Sequence, residues 1–150
     1  MVVLTRKADY ALLAMAYLGR ASGKDEVSSA REISAEYSIP LSVLMNILKT
    51  LQREGFIGSV RGARGGYLLA RPAESISLAE IISAIEGPLQ VTRCSEPPEG
   101  TEHGPCERSP WCPVRGPVQL VQAKLDQFFR EVTLADLVER SGRVSAGVGI

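Results

Sequence analysis

The spacing of apolar residues predicts helices in the first part of the chain. Residues 5–20 (TRKADYALLAMAYLGR) have the helical period, and Thr5 can cap their first turn. The positions that recur at helical spacing are Leu13, Ala16, Tyr17 and Arg20. After a polar connection, Ser29 and Glu32 match a capping box, in which the two residues satisfy each other's orphan backbone amides. A second, shorter helix is therefore predicted to end near Tyr37.

A third helix is predicted from Leu41, after the break at Ser38-Ile39-Pro40. Its apolar stripe consists of Leu44, Ile47, Leu48 and Leu51. The other side shows Ser42, Met45, Asn46, Lys49 and Arg53. Two short helices joined by a turn form a helix-turn-helix unit, and exposed serine, asparagine and cations suit contact with base edges and phosphates. An ordinary helical pair in a small α-helical domain is the structural alternative.

A β-hairpin is predicted directly after this helix. Gly55 ends the helix, residues 56–60 and 67–70 read as strands, and the basic glycine turn RGARGG lies between them. Arg61 and Arg64 at the tip suit phosphate contact or insertion into the minor groove, because glycines allow the backbone to approach closely. The turn is not a nucleotide-binding P-loop, since no Gly-Lys-Ser/Thr follows it and it opens a strand. This order of elements predicts a winged, DNA-binding unit.

The remaining pattern predicts three more helices. A second capping box at Ser77 and Glu80 starts a short one that Gly87 ends. A long helix is predicted over residues 116–131, and Thr133 starts a final short one. The apolar seam of the long helix consists of Val118, Val121, Leu125, Phe128 and Val132. We expect this seam to form a homodimer, with packing inside the chain as the alternative.

The predicted fold class is mainly α with a small β-hairpin wing, a winged helix-turn-helix plus a long C-terminal dimerisation helix. We expect a DNA-binding domain over residues 1–88 and a cysteine-rich loop over 89–115. The dimerisation helix and final short helix follow over 116–141, and a flexible tail over 142–150.

Composition and charge narrow the class of protein. Hydrophobic residues make up 45% of the 150-residue chain, which suffices for a core, and no stretch of about twenty apolar residues suggests a membrane span. The N-terminus lacks the pattern of a secretory signal, so a cytoplasmic protein is expected. Residues 1–71 carry ten Lys and Arg against six Asp and Glu, and residues 72–150 carry seven against eleven. A basic front half is expected where one part faces a polyanion, although ordinary scatter of surface charge is the alternative.

A proline-rich stretch holds all three cysteines, Cys94, Cys106 and Cys112, and the only histidine, His103. An odd number of cysteines disfavours a disulfide framework, and thiolates suit zinc or an iron–sulfur cluster. The spacing lacks both the C-x₂-C knuckle of zinc sites and the ferredoxin runs. A metal or cluster site, a thiol redox pair and unexceptional cysteines therefore all remain open. Candidates for a fourth ligand are His103, Glu102, Glu107 and Asp9.

Several motifs together resemble the IscR/NsrR family of bacterial winged-helix regulators over nearly the full chain. They are Leu4-Thr5, Asp9-Tyr10-Ala11, VRGARGGYLL at 60–69, IISAIEG at 81–87, Thr92-Arg93-Cys94 and TLADL at 133–137. The resemblance implies that Cys94, Cys106 and Cys112 hold an iron–sulfur cluster whose state alters DNA affinity. It also implies that Ser42, Asn46 and Arg61 contact bases or the DNA backbone.

The fourth ligand is where the chain departs from this family. IscR-like members carry a histidine three residues after the last cysteine, where this chain has Arg115, and the interval from Cys94 to Cys106 is longer than usual. NsrR-like members use an aspartate from the other subunit's first helix, and Asp9 occupies the matching place. We favour Asp9 and a four-iron cluster, with a two-iron form, an exogenous ligand or His103 as alternatives. A plain first-turn carboxylate, stabilised by the helix dipole, competes with the ligand role of Asp9.

The expected function is that of a dimeric transcriptional regulator of promoter DNA. Its affinity would be set by an iron–sulfur cluster that senses nitric oxide, redox state or iron supply. The alternative is a cluster-free winged-helix regulator switched by thiol–disulfide chemistry, and an adaptor that binds proteins is a further one. An enzyme is not expected, because the chain has one histidine and no recognisable Ser-His-Asp or Cys-His pair. No small-molecule substrate and no membrane partner are expected.

Overall fold

The described part of the chain consists of α-helices, one 3₁₀ turn and one β-hairpin. The computed structural model describes residues 4–22, 26–92, 106–108 and 110–143. The elements of this part of the chain are α1 (Arg6–Ser22), α2 (Ala30–Tyr37), α3 (Leu41–Arg53), β1 (Ile57–Val60), β2 (Gly66–Leu69), a 3₁₀ turn (Ala73–Ser75), α4 (Leu78–Glu86), α5 (Arg115–Glu131) and α6 (Leu134–Arg143). The predicted fold class, mainly α with a small β-hairpin, is confirmed.

Both predicted capping boxes are formed. The Ser29 hydroxyl accepts the Glu32 backbone N–H at 3.2 Å, and the Glu32 carboxylate accepts the Ser29 N–H at 2.6 Å. Ser77 and Glu80 make the same two bonds at 3.2 and 2.8 Å. Two hydrogen bonds with Ser29 lower the pKa of Glu32. The larger effect comes from the Ser29 backbone and the smaller from its side chain. These reciprocal bonds fix where α2 and α4 begin.

The core joins α1 to every neighbouring element. Its fully buried large side chains are Met15, Leu18, Ile33, Ile39, Leu44, Leu48, Leu51, Ile76, Ile81, Ile82 and Leu134. The buried side of α1 consists of Ala8, Ala11, Ala14, Met15 and Leu18. The small alanine side chains leave room for neighbouring helices, and α1 contacts both α3 and α4. The side of α1 with Leu13 faces away from the core, and Leu13 is 37% exposed.

The side of α1 with Tyr17 and Arg20 connects this helix to α2. The Arg20 guanidinium donates a hydrogen bond to the Tyr37 hydroxyl and lies 6.0 Å from the ring centres of both Tyr17 and Tyr37. The two tyrosine rings meet edge to face at 6.1 Å. Burial raises the pKa of Tyr37. The helical spacing seen in the sequence thus marks an aromatic and cationic contact between helices at the margin of the core.

The wing is attached to the segment before α2. β1 and β2 pair antiparallel, from Ile57 opposite Leu69 to Val60 opposite Gly66. The Ser28 N–H donates to the Tyr67 carbonyl at 2.9 Å, and the Tyr67 N–H donates back to the Ser28 carbonyl at 2.7 Å. This bridge holds β2, near the turn of the hairpin, against the segment that leads into the helix-turn-helix unit.

The end of the chain returns to the winged unit. The Leu78 N–H donates to the Val132 carbonyl and the Leu134 N–H donates to the Ile76 carbonyl, both at 2.8 Å. Leu134 is fully buried, and α6 packs against α1. The first turn of α6 is capped reciprocally by Thr133 and Asp136, like α2 and α4.

α6 continues to Arg143, so the first two residues of the expected tail, 142 and 143, are helical. Helix ends shift by one or two residues because the last turn lacks part of its hydrogen bonding. Residues 144–150 lie outside the described residues.

α5 contacts α4, and one of its polar side chains also bonds the segment after α4. The Gln122 amide donates to the Leu89 carbonyl at 2.7 Å and accepts the Val91 N–H at 2.8 Å. It also donates to the Asp126 carboxylate at 2.9 Å. Gln122 thereby holds the segment after α4 on the surface of α5.

Candidate nucleic-acid interface and metal-binding segment

α3 presents its polar side to solvent because its apolar side is buried. Leu44, Ile47, Leu48 and Leu51 are buried as predicted. The exposed residues of the opposite side are Ser42, Met45, Asn46, Lys49 and Arg53. In the turn before α3, Ser38 is left-handed with a φ of 52°, and the Ser34 hydroxyl donates to the Ile39 carbonyl at 2.6 Å. The structure therefore brings the four predicted DNA-contacting residues of α3 onto one accessible surface, which we call the recognition face (Ser42, Asn46, Lys49, Arg53).

The wing lies beside α3 and carries the two predicted arginines. Arg61 and Arg64 are both exposed in the turn between β1 and β2. Gly62 has a φ of +123°, which favours glycine, so the shape of the tip depends on glycine at this position. The Gln52 amide donates to the Ser59 hydroxyl at 3.0 Å, which links the end of α3 to β1. Cations therefore extend from the recognition face into the wing.

Lys7, in the first turn of α1, was not predicted to belong to this surface. It lines a cavity of about 200 Å³ together with Val43, Asn46, Ile47, Thr50 and Ile85. The basic charge of Arg6-Lys7 was the available signal. Sequence periodicity could not reveal the position, because it depends on how α1 packs across α3 and α4.

The described part of the cysteine segment is a surface turn before α5. Cys106 and Cys112 are free thiols and are partly exposed. The Arg115 N–H, at the start of α5, donates to the Cys112 carbonyl at 3.4 Å, and Trp111 is 73% exposed. Cys94, Glu102 and His103 lie outside the described residues. The turn thus offers two accessible sulfur donors next to a rigid helix.

The predicted ligand set is only partly within the described residues. Asp9 is exposed on α1. Within the described ranges, no group of three or more His, Cys, Asp or Glu side chains could hold a metal ion. Cys106 and Cys112 still suit an iron–sulfur cluster chemically, because both are free thiols and thiolates are its usual ligands. The ligand roles of Cys94, Cys106, Cys112 and Asp9 stay predictions.

The predicted seam of α5 is not covered within the described chain. No residue of α5 is buried. Val121 is 48% exposed and Phe128 58%, while Val118, Leu125 and Val132 are partly exposed. Gln122 and Asp126 lie on the side of the helix that packs near α4. The seam is available to a partner, and the dimer stays a prediction.

A helix-turn-helix with an exposed polar recognition face, followed by a basic hairpin, defines a winged-helix DNA-binding protein. The sequence profile of Rrf2, described as an iron-dependent transcriptional regulator, matches residues 4–140. The chain therefore belongs to the Rrf2 family, and the resemblance drawn from the sequence is confirmed.

Known proteins agree with this assignment. The transcriptional regulator IscR of Sodalis glossinidius is 34% identical over 135 residues, which are 90% of this chain and 78% of that protein. The structure of CymR, the global cysteine regulator of B. subtilis, is similar with a TM-score of 0.71 at 24% identity, covering 93% of this chain and 98% of CymR. IscR of T. potens has a TM-score of 0.70 at 24% identity, covering 98% and 93%. These two structures support the fold alone.

The chain is thus a DNA-binding transcriptional regulator. The expectation that it is not an enzyme is confirmed, because the family consists of regulators. None of the helices in the described part of the chain has the length and apolar character needed to cross a membrane.

Proposed function

We propose that the protein is a homodimer that binds promoter DNA with an affinity set by an iron–sulfur cluster. The observation that carries this proposal is the combination of an exposed recognition face, an anchored basic wing and two free cysteines before α5. In this proposal the domains keep the predicted bounds, with DNA binding over 1–88, the cluster loop over 89–115, and the dimerisation and final short helices over 116–141.

The recognition face would enter the major groove. Ser42 and Asn46 would contact base edges, and Lys49 and Arg53 would contact phosphate or guanine. Arg61 and Arg64 would meet the backbone or the minor groove beside it. Two such units, one from each protomer, would read two half-sites.

The cluster would be held by Cys94, Cys106 and Cys112 of one protomer and Asp9 of the other. When bound, the cluster would add charge and restraints where the two subunits meet. Its loss or oxidation would change both. A carboxylate binds iron less tightly than a thiolate, so this ligand set favours a labile sensor of nitric oxide, oxidants or iron supply. A four-iron cluster is the favoured form.

The test is anaerobic purification or reconstitution, followed by iron and sulfide analysis and DNA-binding assays before and after exposure to nitric oxide. A brown protein whose DNA affinity changes on exposure supports the proposal. A colourless protein without iron, whose DNA binding responds instead to oxidants and reductants, supports the alternative of a thiol–disulfide switch. Cys106 and Cys112 are free and partly exposed, which this alternative requires as much as the cluster does.

Asp9→Ala tests the fourth ligand separately. We expect faster loss of iron in air and a changed visible spectrum, because one position of the cluster would lose its oxygen donor. His103→Ala is the matched control and should leave both properties unchanged. An Asp9→Ala protein with the wild-type spectrum and nitric oxide response would rule out Asp9 and turn attention to His103 or an exogenous ligand.

A further inference from the structure

We propose that Lys7 contacts the DNA phosphate backbone at the edge of the major groove opposite the wing. This inference rests on the proposed mode of DNA binding and adds a contact from α1. Lys7 is exposed at the start of that helix and lines the same small cavity as Asn46 of the recognition face.

The position of Lys7 around α3 is the first argument. Successive residues of a helix are separated by about 100° around its axis. The α3 residues that share the cavity with Lys7 include Val43, Ile47 and Thr50. They lie about 100° to one side of the centre of the recognition face. Lys7 is therefore located along one flank of α3.

The wing lies along the other flank. Gln52, whose amide bonds Ser59 of β1 at 3.0 Å, lies about 90° from the centre of the recognition face in the opposite direction. A helix in the major groove, which is about 12 Å wide, has one phosphate backbone on each side. Lys7 and the wing arginines thus stand where the two backbones would run.

The surroundings of Lys7 leave its charge available. Within the described residues, the ion pairs join Arg53 to Glu54 and Arg71 to Glu80, and Lys7 takes part in neither. Val43, Ile47 and Ile85 give the cavity beside it an apolar wall, against which the methylene chain of a lysine can lie while its ammonium points to solvent. An ammonium presented in this way is a non-directional phosphate contact, which positions the protein without reading sequence.

The salt dependence of DNA binding tests the proposal. The probes are a duplex that the anaerobically prepared wild-type protein enriches from a random pool and a shuffled duplex of equal length. We expect Lys7→Gln to weaken binding to both duplexes by the same factor. The slope of log K against log salt should become shallower by about 0.9 for each protomer bound, the value for one lost phosphate contact.

Three variants make this result specific. Lys7→Arg should retain the wild-type slope, because it keeps the charge. Lys124→Gln, an exposed lysine of α5, is the matched control and should leave the slope unchanged. Lys49→Gln on the recognition face should reduce the slope as Lys7→Gln does. Iron content and melting temperature are measured for each variant, and both should equal those of the wild type.

An unchanged slope in Lys7→Gln, with normal binding by the wild type, overturns this inference alone. A loss of affinity confined to the enriched duplex also overturns it, because it would indicate base reading. If the wild-type protein enriches no duplex, the proposed mode of DNA binding fails and this inference fails with it.

Discussion

Gly66 lies where the wing passes closest to the segment before α2. A Cβ atom at this position would lie 2.4 Å from the Ser28 carbonyl oxygen and 2.6 Å from its carbon. Both are backbone atoms held by the bridge to Tyr67, so they cannot turn aside as a side chain could. A side chain at Gly66 would therefore separate the wing from the helix-turn-helix unit.

We expect Gly66→Ala to lower the free energy of unfolding by about 2 kcal/mol, the usual cost of forcing atoms into a packed site. DNA binding should fall further than stability alone explains, because the wing would shift relative to α3. Gly58→Ala is the matched control in the same hairpin, since its Cβ would meet nothing within 4 Å. Chemical denaturation and DNA titration measure both effects. Equal stability of the two variants would contradict the role assigned to Gly66.

Single residues also show what the sequence could and could not predict. The glycines of RGARGG predicted the turn of the hairpin, because glycine favours turns through its own local conformation. The need for glycine at Gly66 could not be predicted, since it arises from Ser28, which lies far away in the chain. Lys7 was missed for the same reason. Its neighbours Asn46 and Ile85 belong to two other helices.

At the scale of elements, helix starts were predictable and buried sides were predictable only in part. Capping boxes at Ser29 and Ser77 involve residues three positions apart, so the sequence contains the whole interaction. α3 has one apolar stripe and was oriented correctly. α1 contacts α2, α3, α4, α6 and β2, so apolar residues occupy several of its sides. For this reason the helical period of the apolar residues did not identify which side of α1 is buried.

Glu80, in the capping box of α4, has a lowered pKa, which links the stability of the protein to pH. Burial opposes the ionisation of Glu80, but hydrogen bonds from the Ser77 backbone and from Arg71 outweigh it and lower the pKa below the ordinary value of 4.5. The Arg71 guanidinium lies 3.1 Å from the carboxylate. A lowered pKa in the folded state means that ionised Glu80 adds stability above the unfolded pKa. That contribution is lost as the pH falls through the folded pKa.

We therefore expect Glu80→Gln to melt at a lower temperature than the wild type at pH 7. The difference should shrink as the pH falls below about 4.5, the ordinary glutamate pKa, and vanish below the folded pKa of Glu80. Melting curves across this range measure it. Glu74→Gln, in the neighbouring 3₁₀ turn, is the control and should follow the wild type at every pH. A difference for Glu80→Gln that is independent of pH would show that its charge contributes nothing.

At the scale of the whole molecule, two features of the chain suit a pair of copies better than a single one. In the proposed mode of DNA binding the recognition face and wing would read one half-site, and the seam of α5 is not covered by the described chain. The cysteine loop was recognised in the sequence from its composition. Its ligands could not be fixed there, because the proposed cluster, shared by two protomers, would depend on contacts between chains. Helix α5 connects these features, since it starts next to Cys112 and carries the seam.

Phe128 tests whether the seam forms the dimer. Its ring is 58% exposed, and it meets the Phe129 ring edge to face at 5.9 Å. A glutamate at this position would place a charge in an apolar contact between two copies, where it would be desolvated without a partner. We expect Phe128→Glu to halve the mass in solution, measured by light scattering or sedimentation. Affinity for a two-half-site duplex should fall, because each protomer would then bind alone.

Leu120 provides the matched control on the same helix. It is also 58% exposed, but it lies about 120° around the axis from the centre of the seam. Leu120→Glu introduces the same charge at equal exposure, so it should leave the mass and the DNA affinity unchanged. If Phe128→Glu stays dimeric, the subunits meet elsewhere. The proposal that Asp9 of one protomer reaches the cysteines of the other would then lose its support. It relies on the seam, which begins close to Cys112, to bring the two protomers together at the cluster.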